Sequence, residues 1–247
     1  MELEIISSLI FFLVILQTIV GVGILVLGTP LFLILEYSII EVMYYLLPLS
    51  IITSLTNYLF LKYNKEKLKI FLDKNIKKNF ILFFLPGLSL GLILAKIFID
   101  FINFKLLVSL IIFISIAAKW RYENNIQSLP LHLKKISFTL ISVIHGLTNS
   151  GGTLLTVFLS SFNKNKKNQS RYSITFYYLI LVTAQYLIFL WIFKEQLFFD
   201  YPVQLIFIII PALIIGNILS KKISENFFKK IIELLALFSG IFLLLSS

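Results

Sequence analysis

Cysteine is absent from this chain, which excludes disulfides, thiolate metal sites and thiol redox relays. Histidine occurs only as His132 and His145, and no His-Glu-x-x-His, Gly-x-Ser-x-Gly, Walker loop or acid cluster for two metals is present. The sequence therefore carries no enzyme signature, no metal-ligand set and no cofactor motif. Charge is scarce as well. Of 247 residues, 14% are charged, against roughly one-quarter in soluble domains. Apolar residues take their place, at 59% of the chain with a mean hydropathy of +0.96.

The few charges fall in clusters between uncharged runs long enough to cross a bilayer, which defines a polytopic membrane protein. The runs lie at about 5–35, 42–61, 80–95, 106–118, 136–162, 173–193, 203–220 and 231–247. Bases outnumber acids 22 to 12, for a net charge of +10. In a soluble protein that excess would suggest nucleic acid. Here the lysines sit between spans, where the positive-inside rule accounts for them, and no nucleic-acid partner is implied. The amino terminus, Met1-Glu2-Leu3-Glu4, has acids where a cleavable signal needs bases, so the first apolar segment is expected to be retained.

Two of the runs are interrupted. The fifth contains His145-Gly-Leu-Thr-Asn-Ser-Gly-Gly-Thr-Leu-Leu-Thr156, a polar, glycine-rich knot at membrane depth. The first contains a weaker copy, Gly21-Val-Gly-Ile-Leu-Val-Leu-Gly-Thr-Pro30. Hydrocarbon offers unpaired backbone groups no partner, so such breaks persist only where they face protein or a polar cavity. A second repetition supports the pairing. Pro86-Gly-Leu-Ser-Leu-Gly91 returns as Pro211-Ala-Leu-Ile-Ile-Gly216, about 125 residues later. The chain reads as a tandem duplication, with residues 1–119 as repeat 1, 120–135 as a basic cytoplasmic linker and 136–247 as repeat 2.

Charge then constrains topology. Strict alternation of eight crossings would put the basic loop 163–172 opposite the basic loops 62–79 and 119–135, against the positive-inside rule. If the first segment of each copy instead enters, turns at its glycines and leaves on the same side, all the large basic loops fall inside. Each copy then has a re-entrant segment plus three full spans. That number is odd, so the copies are inverted. Eight full crossings with parallel repeats are the competing arrangement.

In such a protein a ligand would sit where the two breaks meet, near half-helix amino termini. Asn149, Ser150, Gly151, Gly152 and Thr153 suit an anion at a helix start, since glycine permits close approach and short polar side chains add donors. Gly21 and Gly23 are their counterparts. Small residues also serve simple helix packing, which is the competing reading at both breaks. Thr29 and Pro30 fit either the start of a half-helix or a kink. Asn57, with Thr53, Ser54 and Thr56, marks a face turned from lipid; Gln17, Thr18, Thr183 and Gln185 are similar, and interhelical hydrogen bonds suffice to explain any one of them. His145 is the one ionisable group close to a break, a candidate proton relay or second charge for an anion, although a lone histidine also serves packing.

At the two breaks the sequence resembles the sulfite exporter TauE/SafE family of membrane permeases. Residues 146–157 are similar to its second-half signature, a Gly-x-Gly-Gly-Gly motif followed by an apolar run. Gly21-Val22-Gly23 with Pro30 resembles the first-half copy, and Thr53-Ser54-Leu55-Thr56 its small-hydroxyl stretch. The chain departs from the pattern at Ile24, Leu25, Asn149 and Thr153, where that family has glycines. The resemblance implies an all-α permease in the cytoplasmic (inner) membrane, moving sulfite, sulfonates or related small anions with export favoured, and it is compatible with a homodimer. A non-transporting membrane subunit or assembly factor, with breaks that serve packing, is the alternative.

Overall fold

A computed structural model describes residues 2–21, 23–63, 80–122, 130–160, 167–196, 201–222 and 224–247. Most of the basic loops weighed above therefore lie outside the described residues. All regular structure among the described residues is helical, as expected for backbone that must pair its own polar groups in hydrocarbon. The α-helices are α1 (Glu2–Val20), α2 (Ile24–Ile34), α3 (Ile39–Tyr63), α4 (Leu85–Ile97), α5 (Phe104–Tyr122), α6 (Leu131–Thr148), α7 (Gly152–Ser160), α8 (Lys167–Ile192), α9 (Gln204–Lys222) and α10 (Glu225–Leu245). A π-helical turn, Phe80–Phe84, leads into α4. Among the described residues, four stretches are long and apolar enough to cross a membrane: Ile39–Tyr63, Phe80–Ile97, Arg171–Ile192 and Gln204–Lys222.

Local chemistry explains several boundaries. Ser38 and Glu41 form a reciprocal capping box at the start of α3: the Ser38 N–H donates to Glu41 Oε2 (2.8 Å), and the Glu41 N–H to Ser38 Oγ (3.3 Å). Just before it, α2 ends with Glu36 in the left-handed region (φ 66°). The Glu36 and Tyr37 N–H groups return to the carbonyls of Leu33 and Phe32, and the Tyr37 ring packs on Phe32 at 5.2 Å. Thr29 and Pro30 do not begin a half-helix. They lie inside α2, which starts at Ile24, and both are buried.

Both interrupted runs split where expected, and their two turns match bond for bond at a spacing of 128 (Gln17 to His145, Gly21 to Asn149, Gly23 to Gly151). The Gly21 N–H donates to the Gln17 carbonyl (2.8 Å), and the Asn149 N–H to the His145 carbonyl (2.7 Å). Gly21 (φ 94°) and Asn149 (φ 59°) both occupy positive φ, where glycine and asparagine are the residues with least strain. A Cβ on Gly23 would lie 2.8 Å from the Gln17 backbone nitrogen, and one on Gly151 2.9 Å from that of His145. Each chain thus folds back on residues six positions earlier instead of continuing straight.

Helix packing repeats the same correspondence. Helix α1 packs mainly on α9 and α6 mainly on α4, so each break helix is held by the other half. Likewise α2 packs on α10 and α7 on α5, while α3 pairs with its counterpart α8 and α5 with α10. The recurring Pro-x-Leu-x-x-Gly motif supplies the seats. A Cβ on Gly91 would collide with the Val143 carbonyl, and one on Gly216 would lie 2.7 Å from Thr18 Cβ.

Contacts between helix ends define two sides. Lys105 Nζ donates to Glu36 Oε1 (2.7 Å) and to the Ser246 carbonyl (3.4 Å), and Lys96 Nζ to the Ile192 carbonyl (2.7 Å). Tyr44 and Tyr45 meet Tyr201 there, with centroids at 5.8 and 6.2 Å. At the other end Tyr58, near the end of α3, stacks on Tyr172, near the start of α8, at 5.2 Å.

Candidate functional site

The second break sits between α2 and α8. Asn149, held left-handed at the end of α6, donates from Nδ2 to Thr29 Oγ1 of α2 (3.0 Å) and accepts at Oδ1 from Gln185 Nε2 of α8 (3.1 Å). Gly152 opens α7 against Val26 and the Tyr178 ring, at 3.1 and 3.2 Å from where its Cβ would be. Asn149, Ser150, Gly151, Gly152, Thr29 and His145 are all buried. The structure thus brings together Asn149, Thr29, Gly152 and the first half's α2, while Thr153 is the second residue of α7. The helices that follow the two breaks, α2 and α7, touch each other.

Several polar atoms here have no hydrogen-bond partner among the described residues. They are both ring nitrogens of His145, Ser150 Oγ, Gln185 Oε1 and the Tyr178 hydroxyl. The His145 ring lies beside Gln185, and the Tyr178 hydroxyl beside Ser50 and the backbone at Leu25, without forming bonds of good geometry. Buried polar groups are nearly always paired, so these atoms mark the second break as a place where, among the described residues, the fold's own partners fall short.

The first break differs. Gln17, the positional counterpart of His145, uses its whole amide. Its Oε1 accepts from the Ile24 N–H (3.0 Å), capping α2, and its Nε2 donates to the Ser50 carbonyl (3.1 Å) and Ser54 Oγ (2.9 Å). Gly23 packs on that same Gln17, and Gly21 on Thr175 and the Arg171 carbonyl of α8. Asn57 lies away from the second break, donating from Nδ2 to the Thr18 carbonyl (3.2 Å) at the end of α1. Gln17, Ser54, Asn57 and Gln185 thus make the interhelical bonds their types suggested.

Residues 6–243 match the family described as Sulfite exporter TauE/SafE. The chain belongs to that family. TauE/SafE proteins are membrane transporters and not enzymes, and the helical architecture is that of a multi-pass membrane protein. Neither the curated proteins nor the solved structures give a match.

Sequence reasoning did not find the most unusual residue of this TauE/SafE chain. Arg171 reads in the sequence as one more charge of the basic loop 163–172, but it is buried at 6% exposure beneath the first break. Its Nη2 donates to Asn57 Oδ1 (2.8 Å) and Asn217 Oδ1 (3.0 Å), and its Nη1 to Ser220 Oγ (3.2 Å). The available signal was its place at the very edge of the apolar run 173–193, four residues before Thr175.

Proposed function

We propose that this protein carries a small sulfur-containing anion, sulfite or an organosulfonate, out of the cell across the cytoplasmic membrane by alternating access at the second break. The observation that carries the reading is the buried cluster of unpaired polar atoms around His145, Ser150, Gln185 and Tyr178, in a chain of a transporter family. In this reading Asn149, Ser150 and the backbone of Gly151, Gly152 and Thr153 contact the substrate with Thr29 on the opposite wall, while Gly21, Gly23 and Asn57 shape the first break. His145 supplies a proton or a hydrogen bond. Export needs no coupling ion, since the membrane potential drives an anion outward with about 2.3 kcal/mol per charge per 100 mV.

The topology we propose is two inverted repeats, 1–119 and 136–247, each a fold-back segment followed by three crossings. It is supported by the side-to-side contacts. Lys105 reaching Ser246, Lys96 reaching Ile192, and Tyr172 stacking on Tyr58 join chain ends that eight full crossings would put on opposite faces. The exchanged packing of α1 on α9 and α6 on α4 supports the division into repeats.

Flux of sulfite and methanesulfonate in proteoliposomes, with the imposed potential reversed between runs, tests the reading. Anion movement that follows the potential is expected. No flux of either anion from folded protein would overturn it in favour of a non-transporting membrane subunit.

A further inference from the structure

Resting on that carrier reading, we infer that Arg171 and Thr175 form a second anion subsite, next to the first break, that recruits a small oxyanion from the side where α8 begins. Arg171 is buried, and among the described residues no carboxylate pairs with it. Its three bonds go to neutral oxygens of Asn57, Asn217 and Ser220, which hold the guanidinium in place while leaving its charge uncancelled. A buried charge without a counter-charge is costly, and an ionisable group at membrane depth marks a ligand or ion path by default.

Free valences point the same way. Among the described residues Arg171 Nε has no partner, and neither has Thr175 Oγ1, one helical turn further on and therefore on the same face of α8. Both adjoin Gly21: a Cβ there would lie 2.9 Å from Thr175 Oγ1 and 3.2 Å from the Arg171 carbonyl. Arg171 is also tied to the break helix, because Asn57, which accepts from it, donates to Thr18 just before Gly21. The arrangement offers an oxyanion the Arg171 Nε–H, a hydroxyl and a fixed positive charge, the combination that favours bound oxyanions over neutral solutes.

The test uses the full chain in detergent, with thermal unfolding followed as sodium sulfite or sodium methanesulfonate is titrated, and sodium gluconate matching ionic strength. A ligand that binds the folded state raises the unfolding temperature by mass action. Arg171→Gln should raise the half-saturating concentration by about tenfold or more, the loss of a charged hydrogen bond. Arg171→Lys should restore most of the affinity, and Thr175→Val should show a smaller loss. A clamp that merely ties α3, α8 and α9 together would treat Gln and Lys alike, and that result would overturn the subsite. So would an Arg171→Gln protein that keeps the wild-type midpoint, although the carrier reading would then survive. If Arg171→Gln does not fold, an unchanged midpoint in Thr175→Val overturns it. No stabilisation of the wild type by either anion would sink the carrier reading, and this inference with it.

Discussion

The two breaks share a backbone and differ in how their side chains use it. At the first, Gln17 caps α2 and bonds two hydroxyl-bearing positions of α3, so every polar atom it brings is engaged. At the second, His145 stands at the matching position with neither nitrogen bonded among the described residues, and Ser150 Oγ is unpaired as well. The same fold-back turn thus carries a fully bonded side chain in one place and, among the described residues, an unbonded one in the other. A helix break in hydrocarbon is thus not a binding site by virtue of its shape. It becomes one when its polar groups exceed the partners the protein offers.

Substitutions can break or sharpen this contrast. The largest effect is expected from Gly152→Leu, whose side chain would run into Val26 and Tyr178. Transport should be abolished with insertion intact, and normal flux in well-inserted protein would remove the second break from the site. Next comes Gln17→Leu, which strands the Ile24 N–H and should cost about 1–3 kcal/mol of stability in mixed-micelle unfolding. His145→Leu strands nothing and should cost less than about 1 kcal/mol while lowering flux; equal losses in the two variants would erase the asymmetry. Gly21→Ala forces a side chain into positive φ against Thr175, a penalty of about 1–3 kcal/mol. The smallest change is Glu36→Gly, remote from both breaks. Relief of its left-handed backbone, about 1 kcal/mol, is offset by loss of the Lys105 ion pair, so neither flux nor stability should move measurably.

Much of this architecture was readable from the chain because hydrocarbon leaves so few choices. Interruptions of apolar runs by Gly21-Val22-Gly23 and by Asn149-Ser150-Gly151-Gly152 marked both breaks, since nothing but a turn explains small polar residues at that depth. Ile24 and Leu25 made the first break look weaker than it is. The group that starts α2 there is the Gln17 side chain, seven residues earlier, and no local motif announces a cap at that distance. Thr29 and Pro30 misled for the converse reason: their types suit a helix start, but Ile24 had already begun it. Arg171 was invisible because a charge at the end of a basic loop reads as solvated. Only the three-dimensional meeting of Asn57, Asn217 and Ser220 shows that it is not.

The glycine seats limit how such a carrier can move. With Gly91 set against the Val143 carbonyl and Gly146, and Gly216 against Thr18 and Ile15, two pairs of helices are in near backbone contact. Sliding either pair would drive side chains into a space that will not hold a methyl group. The pairs join α1 to α9 and α4 to α6, each drawn from both halves of the sequence. Each seat stitches an early helix to a late one, so any movement that parted residues 1–119 as a block from residues 136–247 would have to open both.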